Sequence, residues 1–345
     1  MSATFKVGVT RDSLNDEGKL VFKDLGLEIL DRADNVNYDF LEKYEPIMPA
    51  ELIKDVDGVI SLTPAYNKNT LQGGGRRLIA IARLGVGYDN VDVKACTDSD
   101  VALLTARGTV NYPMAEATIG WMLALNHHIF IKDQLVRTGK WDDRNLYMGT
   151  ELRDRTMGVV GVGGIGGTLV NLLKTFKMKE TLAFDPYLSE NKARQLGVKL
   201  VDLNILMSEA DYISVNCPLV EETRNLIDVE QLAMMKPTAY LITTARGGIV
   251  NESALVNALR NKAIAGAAVD VFEKEPSGEN NPYSELDNVI LAPHSIGWTD
   301  ELYRDMGSMC CRQMVSLSKG EIPEGLINRE VLKRQGFRNK LEKFK

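Results

Sequence analysis

Short apolar runs alternate with helical or loop material along most of the chain. In the first third, Lys6 to Thr10, Gly58 to Leu62, Leu78 to Leu84 and Val101 to Thr105 read as strands. The pattern resumes at Met157 to Val160 and Thr181 to Phe184. It continues through 210–219, 239–248, Ala265 to Val271 and Val289 to Ala292. Alternation of this kind predicts parallel sheets with helical crossovers, an α/β chain. Between the two series, Asn111-Tyr112-Pro113 opens a long helix through Met114, Ala117, Ile119, Trp121, Met122, Leu125, Ile129 and Leu135, ending near Gly139. Its apolar faces are broad, which predicts burial between units.

The stretch from Asp154 to Asp185 carries the clearest chemistry. An apolar run feeds Gly161-Val162-Gly163-Gly164-Ile165-Gly166, and Leu169, Leu172, Leu173 and Phe176 follow at helical spacing. Strand, glycine turn and helix are what a dinucleotide pyrophosphate requires: backbone without Cβ can approach it, and the first amides of a helix point at its charge. Gly161 is expected to make the turn, Gly163 to permit close approach, and Gly166 to let helix pack on strand. The next run ends in Asp185, nineteen residues after Gly166. An acid there accepts hydrogen bonds from ribose hydroxyls and repels a 2′-phosphate, favouring NAD over NADP. The plainer reading is that Asp185 starts a turn before Pro186.

Other polar groups gather at strand ends. Gly85-Val86-Gly87 would expose consecutive amides able to hold a carboxylate; a strand-ending turn with Asp89 and Asn90 as helix caps is the equal alternative. Arg246, Glu275 and His294 follow three later strands, at the carboxyl ends where open α/β sheets bind ligands. Gly73-Gly74-Gly75 reads as a flexible turn, because no strand feeds it. His127 and His128 are neighbours on one helix and point about 100° apart, so they cannot share a metal and read as packing or surface residues.

Bulk properties narrow the class. The chain of 345 residues has room for two domains. A formal charge of −6 gives no field for nucleic acid, and no apolar run could span a bilayer. The N-terminus enters a strand without a signal-peptide region, so a cytoplasmic protein is expected. Four cysteines (Cys96, Cys217, Cys310, Cys311) are too few and too irregularly spaced for a disulfide framework or a zinc site; no metal is expected.

Together these residues resemble the D-isomer-specific 2-hydroxyacid dehydrogenase family, from about Leu78 to Thr299. The resemblance rests on G-V-G-Y-D-N-V-D at 85–92, the glycine fingerprint at 161–166, T-A-R-G-G-I-V-N-E at 244–252, D-V-F-E-K-E-P at 270–276 and A-P-H at 292–294. It implies an NAD-dependent oxidoreductase acting on a small 2-hydroxy or 2-oxo acid, built from two Rossmann-like, doubly wound parallel-sheet domains. The NAD-binding domain, 107–299, would be inserted into a flavodoxin-like substrate domain, 1–106 with 300–345. It also implies a homodimer that pairs through the cofactor domain, to which the helix from Asn111 would offer apolar surface.

By the same resemblance His294 is the acid/base, Glu275 its partner and Arg246 the substrate-binding arginine, while Val86 and Gly87 supply amides to the substrate carboxylate. Gly164, Ile165, Asp185, Cys217, Pro218, Thr223, Thr244, Ala245, Asp270 and Gly297 match positions that line NAD, beside Gly161, Gly163 and Gly166. The chemistry agrees. A guanidinium holds a carboxylate bidentately, an imidazolium protonates a carbonyl oxygen as hydride arrives, and a neighbouring carboxylate stabilises and orients that imidazolium. Three positions depart from the family. Gly164 stands where Arg or Lys is common, Thr243 where Asn is common, and Ser295-Ile296-Gly297-Trp298 follows the histidine where the family usually has I-G-G or I-A.

Within the family, the loop after the second strand of the first domain faces the far end of the substrate, and phosphoglycerate enzymes place an arginine there. Here that loop is Ser61 to Asn67, without a fixed positive charge. Thr63, Tyr66 and Asn67 are expected to offer polar groups, with Trp298 closing the pocket. This favours a small unphosphorylated acid such as glyoxylate or hydroxypyruvate, with D-3-phosphoglycerate dehydrogenase as the alternative. From another class, an NAD-sensing corepressor-type protein would keep the same residues; such proteins usually add interaction tails, and the termini here are short. The remaining chain leaves no space for a regulatory C-terminal domain. The basic tail Arg329 to Lys345, with seven Lys or Arg against two Glu, reads as a solvated terminus.

Overall fold

Five parallel strands make the first sheet: β1 (Phe5–Val9), β2 (Val36–Phe40), β3 (Gly58–Ser61), β4 (Ala80–Arg83) and β5 (Ala102–Thr105), in the order β2-β1-β3-β4-β5. The computed structural model describes residues 4–345; Met1–Ala3, which begin the stretch read as lacking a signal peptide, lie outside the described residues. The chain divides into two units, Met1–Val110 with Trp298–Lys345, and Asn111–Gly297.

In the first unit β3 and β5 are buried along their whole length, as expected of strands covered on both faces. β2 escapes the sequence reading because V-N-Y-D-F buries only Val36 fully and lies at the sheet edge. Strand order reverses between β1 and β3. The helix Asp300–Leu317 returns the chain to this unit and packs on β3, β4 and β5. There the Cys310 thiol donates to the Arg83 carbonyl at 3.3 Å.

Two expectations about this unit are corrected. Gly73 and Gly74 are not a flexible turn but the end of a helix, Lys68–Gly74. A Cβ on Gly73 would come within 2.7 Å of the Ala50 methyl, and one on Gly74 within 2.5 Å of Ile53, so they allow two helices to touch. The basic tail is not simply solvated either. It forms a helix, Gln335–Leu341, that buries Phe337 and Leu341, and a following turn, Glu342–Phe344, that buries Phe344. The three protons of its Lys340 ammonium are shared among four backbone carbonyls, of Gly75 (2.6 Å), Leu78 (2.9 Å), Ser99 (3.0 Å) and Asp100 (3.0 Å). Charge in this tail is spent on orphan carbonyls at helix and turn ends. Burial pushes the ammonium down to about 8, against the pull of Asp100.

The second unit holds seven parallel strands: β6 (Thr156–Val160), β7 (Glu180–Phe184), β8 (Lys199–Leu200), β9 (Tyr212–Val215), β10 (Tyr240–Thr243), β11 (Gly266–Val269) and β12 (Val289–Leu291). They run in the order β12-β11-β10-β9-β6-β7-β8. This is the doubly wound dinucleotide-binding order with one added strand, and it reverses between β6 and β9. Apolar clusters cover both faces.

The long helix expected from Asn111 to Gly139 is two helices, Asn111–Asn126 and Ile129–Arg137. His128 adopts a left-handed conformation between them (φ 52°), which ends the first and redirects the second. The first buries Ala115, Ile119, Trp121, Met122 and Leu125 within its own unit and packs on the helix that follows β6.

Candidate active site and nucleotide loop

At the β6/β9 reversal the chain turns at Gly161 with φ +87°, a conformation that suits glycine. A Cβ there would lie 2.8 Å from the Cys217 amide nitrogen, so β6 and the loop after β9 meet backbone to backbone. A Cβ on Gly166 would lie 2.2 Å from the Gly161 carbonyl, whereas the space beside Gly163 is open. The helix Gly164–Leu173 starts here with no side chain capping its first amides. Uncapped N–H groups facing open space at a switch point are the donor set a pyrophosphate takes, and NAD fits this cradle. Beside Gly164 lies the amide of Asn111, whose Oδ1 a Cβ would meet at 2.4 Å unless that side chain turned aside.

Asp185 both starts a turn and reaches the glycine loop. Its Oδ1 accepts from the Tyr187 amide (2.9 Å) and its Oδ2 from the Val162 amide (2.8 Å), leaving further lone pairs on a half-buried carboxylate. Across the reversal, Thr223 shapes the Cys217–Thr223 loop: its hydroxyl donates to the Pro218 carbonyl (2.6 Å) and accepts from the Val220 amide (2.8 Å). Burial pushes the Cys217 thiol up to about 11, so it lines the loop as a neutral group. Ile165 is half-buried in the first turn of the helix.

The catalytic candidates follow β10, β11 and β12. Glu275 is fixed at both oxygens, Oε1 accepting from the Phe272 amide (3.0 Å) and Oε2 lying 2.7 Å from His294 Nδ1. His294 and Glu275 remain open, at 44% and 37% side-chain exposure, so Nε2 can meet a small ligand. His294 sits at φ +53°, uncommon for a residue with a Cβ, and is braced by Asp270. The Asp270 carbonyl accepts from the His294 amide (2.8 Å), and its Oδ1 accepts from the amides of Ser295 (2.8 Å) and Ile296 (3.2 Å). Burial pushes the Asp270 carboxyl up, and those two donors pull it back.

Arg246 donates through Nη1 to the Ala245 carbonyl at 2.7 Å. The next residue, Gly247, presses on the loop after β11, since a Cβ would fall 1.9 Å from the Phe272 carbonyl. The arginine loop and the Glu275 loop are thus in backbone contact. Thr244 is buried beside them; Thr243, in place of the family's asparagine, is buried with its hydroxyl unpartnered. Gly297 abuts Met114, whose sulfur would lie 2.1 Å from a Cβ.

Sequence reading missed Glu252 and Glu273. Each accepts the other's backbone amide, at 3.2 and 3.1 Å, and so staples the helix Glu252–Arg260 to the loop carrying Glu275. Both lie in quoted motifs, but a reciprocal pairing across 21 residues leaves no local signal.

Val86 and Gly87 belong to the first unit, in the turn after β4. Gly85 takes φ +155°, and Arg83 Nε donates to the Gly87 carbonyl at 3.4 Å. The helix cap there is Asp92, which accepts from the Ala95 amide, and not Asp89 or Asn90. Asn90 instead donates to the carbonyls of Thr63 and Pro64. His127 and His128 take no part in either group; the His128 ring lies against Tyr147, and burial lowers its pKa.

The family described as D-isomer specific 2-hydroxyacid dehydrogenase, NAD binding domain, matches residues 119–295. The chain belongs to this family. The dehydrogenase is 36% identical over 286 residues to a glyoxylate reductase of Korarchaeum cryptofilum, covering 82% of this chain and 86% of that one. It is 38% identical over 283 residues to a D-3-phosphoglycerate dehydrogenase of Synechocystis, covering 79% of this chain but only 50% of the relative. In fold it is similar to the D-isomer specific 2-hydroxyacid dehydrogenase of Lactobacillus delbrueckii ssp. bulgaricus in its NAD-complexed form, with TM-score 0.75, 20% identity, and coverage of 94% and 100%. The dehydrogenase is therefore an NAD-dependent oxidoreductase acting on the CH–OH group of 2-hydroxy acids. No described helix is long and apolar enough to cross a membrane.

Proposed function

We propose that the dehydrogenase reduces a small, unphosphorylated 2-oxo acid such as glyoxylate or hydroxypyruvate, with His294 as the acid/base. The observation that carries this is the 2.7 Å contact of His294 Nδ1 with Glu275 Oε2. With a proton on Nδ1 directed at the carboxylate, Nε2 is the atom left to give or take the substrate proton. Glu275 also offsets the charge of the imidazolium, and Arg246 binds the substrate carboxylate, aided by the amides of Val86 and Gly87. NAD, when bound, supplies or takes the hydride. Asp185 disfavours the extra phosphate of NADP. Residues 1–106 with 300–345 act as the substrate domain, and 107–299 as the NAD-binding domain.

The relatives named glyoxylate reductase support the small-acid reading. Those named D-3-phosphoglycerate dehydrogenase favour the alternative, against which stands the loop Ser61 to Asn67 with no cationic side chain. NADH oxidation measured with glyoxylate, hydroxypyruvate, pyruvate and 3-phosphohydroxypyruvate decides: a clear preference for the phosphorylated acid overturns the reading. Absence of turnover with any 2-oxo acid would return the corepressor-type alternative.

We further infer a cytoplasmic homodimer pairing through the second unit. The surface differs from the one expected, because the helix Asn111–Asn126 spends its apolar residues inside its own unit. Ile129, Phe130, Val136, Trp141, Leu146 and Met148 are instead exposed just after it, beside a cavity of about 660 Å³ lined by Leu125, Phe130, Ile131 and Tyr240. An apolar patch of this extent suits a second copy of the chain.

A further inference from the structure

The arginine loop after β10 and the loop after β11 that carries Glu275 meet at one peptide. Gly247, next to Arg246, packs on it: a Cβ there would lie 1.9 Å from the Phe272 carbonyl oxygen and 2.7 Å from the Glu273 amide nitrogen. Contact of this kind sets how near two loops come but not how they are turned. Orientation needs directed bonds, and two carboxylates supply them. Glu252 Oε2 accepts from the Glu273 amide at 3.2 Å, and Glu273 Oε1 accepts from the Glu252 amide at 3.1 Å. Each loop is held by the other's side chain.

The two bonds act on different groups. The amides of Phe272 and Glu273 are consecutive; the first is taken by Glu275 Oε1 (3.0 Å) and the second by Glu252. Holding the Glu273 amide fixes the peptide after Phe272, and with it the direction from which the Phe272 amide meets Glu275. Glu275 Oε2 in turn lies 2.7 Å from His294 Nδ1, so Glu252 acts on the imidazole through the Phe272 amide and Glu275. In the other direction, Glu252 opens the helix Glu252–Arg260, whose first amides have no partner within the helix. Asn251 takes the Ala254 amide and Glu273 the Glu252 amide, which fastens that helix start to the Glu275 loop. Between Arg246 and the helix, the carbonyls of Gly248 and Ile249 accept from the amides of Asn225 (2.7 Å) and Ile227 (3.2 Å). The Asn251 amide donates to the Ile227 carbonyl at 2.9 Å, so the stretch from Arg246 to Glu252 has little freedom of its own. The space among Arg246, Glu252, Glu273 and Tyr283 amounts to about 10 Å³, room for no more than one water. Two neighbouring carboxylates repel, and the helix start offsets part of that cost. Burial pushes the Glu252 carboxyl up, the Glu273 amide pulls it back, and the Glu273 charge pushes it up again.

We propose that Glu252 and Glu273 are positioning residues for the reaction, a reciprocal clamp that fixes Arg246 and Glu275 relative to each other before substrate arrives. The inference rests on the 2-oxo acid reading above, in which Arg246 binds the carboxylate and Glu275 orients His294. Neither clamp residue touches substrate; each acts through the loop that the other holds.

The test is steady-state reduction by the full-length protein at saturating NADH, with the better of glyoxylate and hydroxypyruvate as substrate. Glu273→Met keeps the stem and removes the acceptor, whereas Glu273→Gln removes the same charge but keeps an oxygen at the same reach. In Glu273→Met, KM for the 2-oxo acid should rise about tenfold as Arg246 loses its placement, and kcat should fall about tenfold as His294 loses its own. Together these amount to about a hundredfold in kcat/KM, the cost of a misplacement of about 1 Å. Glu273→Gln should stay within about threefold of the parent in both parameters. Glu252→Met and Glu252→Gln should show the same contrast, and they carry the test if Glu273→Met does not fold. A fall in kcat at unchanged KM is what loss of folded protein gives, and that result would overturn the assignment. So would Met variants within about threefold of the parent, or Gln variants as impaired as the Met ones. A parent that turns over no 2-oxo acid would remove the underlying reading and this one with it.

Discussion

A histidine in left-handed backbone would normally be replaced by glycine or relaxed by a turn. Here His294 is kept by what surrounds it: the Asp270 carbonyl and carboxylate hold three successive amides, and Glu275 holds Nδ1. The ring is therefore aimed before any ligand arrives, which is where most of the value of an acid/base lies. His294→Ala should lower kcat by about 10²–10⁴ with a smaller change in KM, the usual worth of a positioned proton donor. Steady-state kinetics at saturating NADH check this. In Glu275→Gln the ring at Nδ1 faces a neutral amide in place of a carboxylate, so kcat should fall by about tenfold or more with a smaller change in KM. A kcat equal to the parent's would remove the pairing. Asp185→Ser should bring the kcat/KM values for NADH and NADPH closer together, because the carboxylate that meets the 2′-phosphate is gone. An unchanged ratio would assign Asp185 only to bracing the glycine loop through the Val162 amide.

At the scale of elements, legibility followed burial pattern. Strands covered on both faces, such as β3, β5, β6 and β9, carry no charged residue and are dominated by apolar ones, which made them visible in the sequence. The edge strand β2 and the two-residue β8 were not, since Asn37, Asp39 and Lys199 carry no apolar signal. The break at His128 was hidden because apolar residues continue through it at helical spacing, while the backbone reverses hand at one position. Site residues were legible where backbone dictates composition, as at Gly161 and Gly166. They were obscure where two distant loops are tied by reciprocal bonds, as with Glu252 and Glu273. The C-terminal tail shows the same limit: seven basic residues suggest solvent, but one of them, Lys340, is shared among four carbonyls from other elements. Lys340→Met keeps the stem and strands those acceptors. It should cost about 2 kcal/mol, read as a lower urea midpoint for the first unit. A midpoint equal to the parent's would mean water replaces the ammonium without loss.

At the scale of the whole molecule, the exposed apolar residues between Ile129 and Met148 predict association. Light scattering at micromolar concentration should give twice the 38.2 kDa chain mass, and replacing Trp141 and Leu146 with charged residues should lower it toward one. A single-chain mass for the parent would contradict this. The division of the first unit has another consequence, in time rather than space. Its sheet is complete by Thr105, but the helix that packs on β3, β4 and β5 begins at Asp300, and the Thr105 amide finds its carbonyl partner at Gly325. On the ribosome, residues 1–110 emerge with one sheet face bare, while 111–297 are contiguous and can fold as soon as they are made. Nascent chains halted near residue 300 should thus resist protease across the nucleotide half and remain digestible across the half that precedes it. Synthesis leaves the earliest residues waiting for the latest.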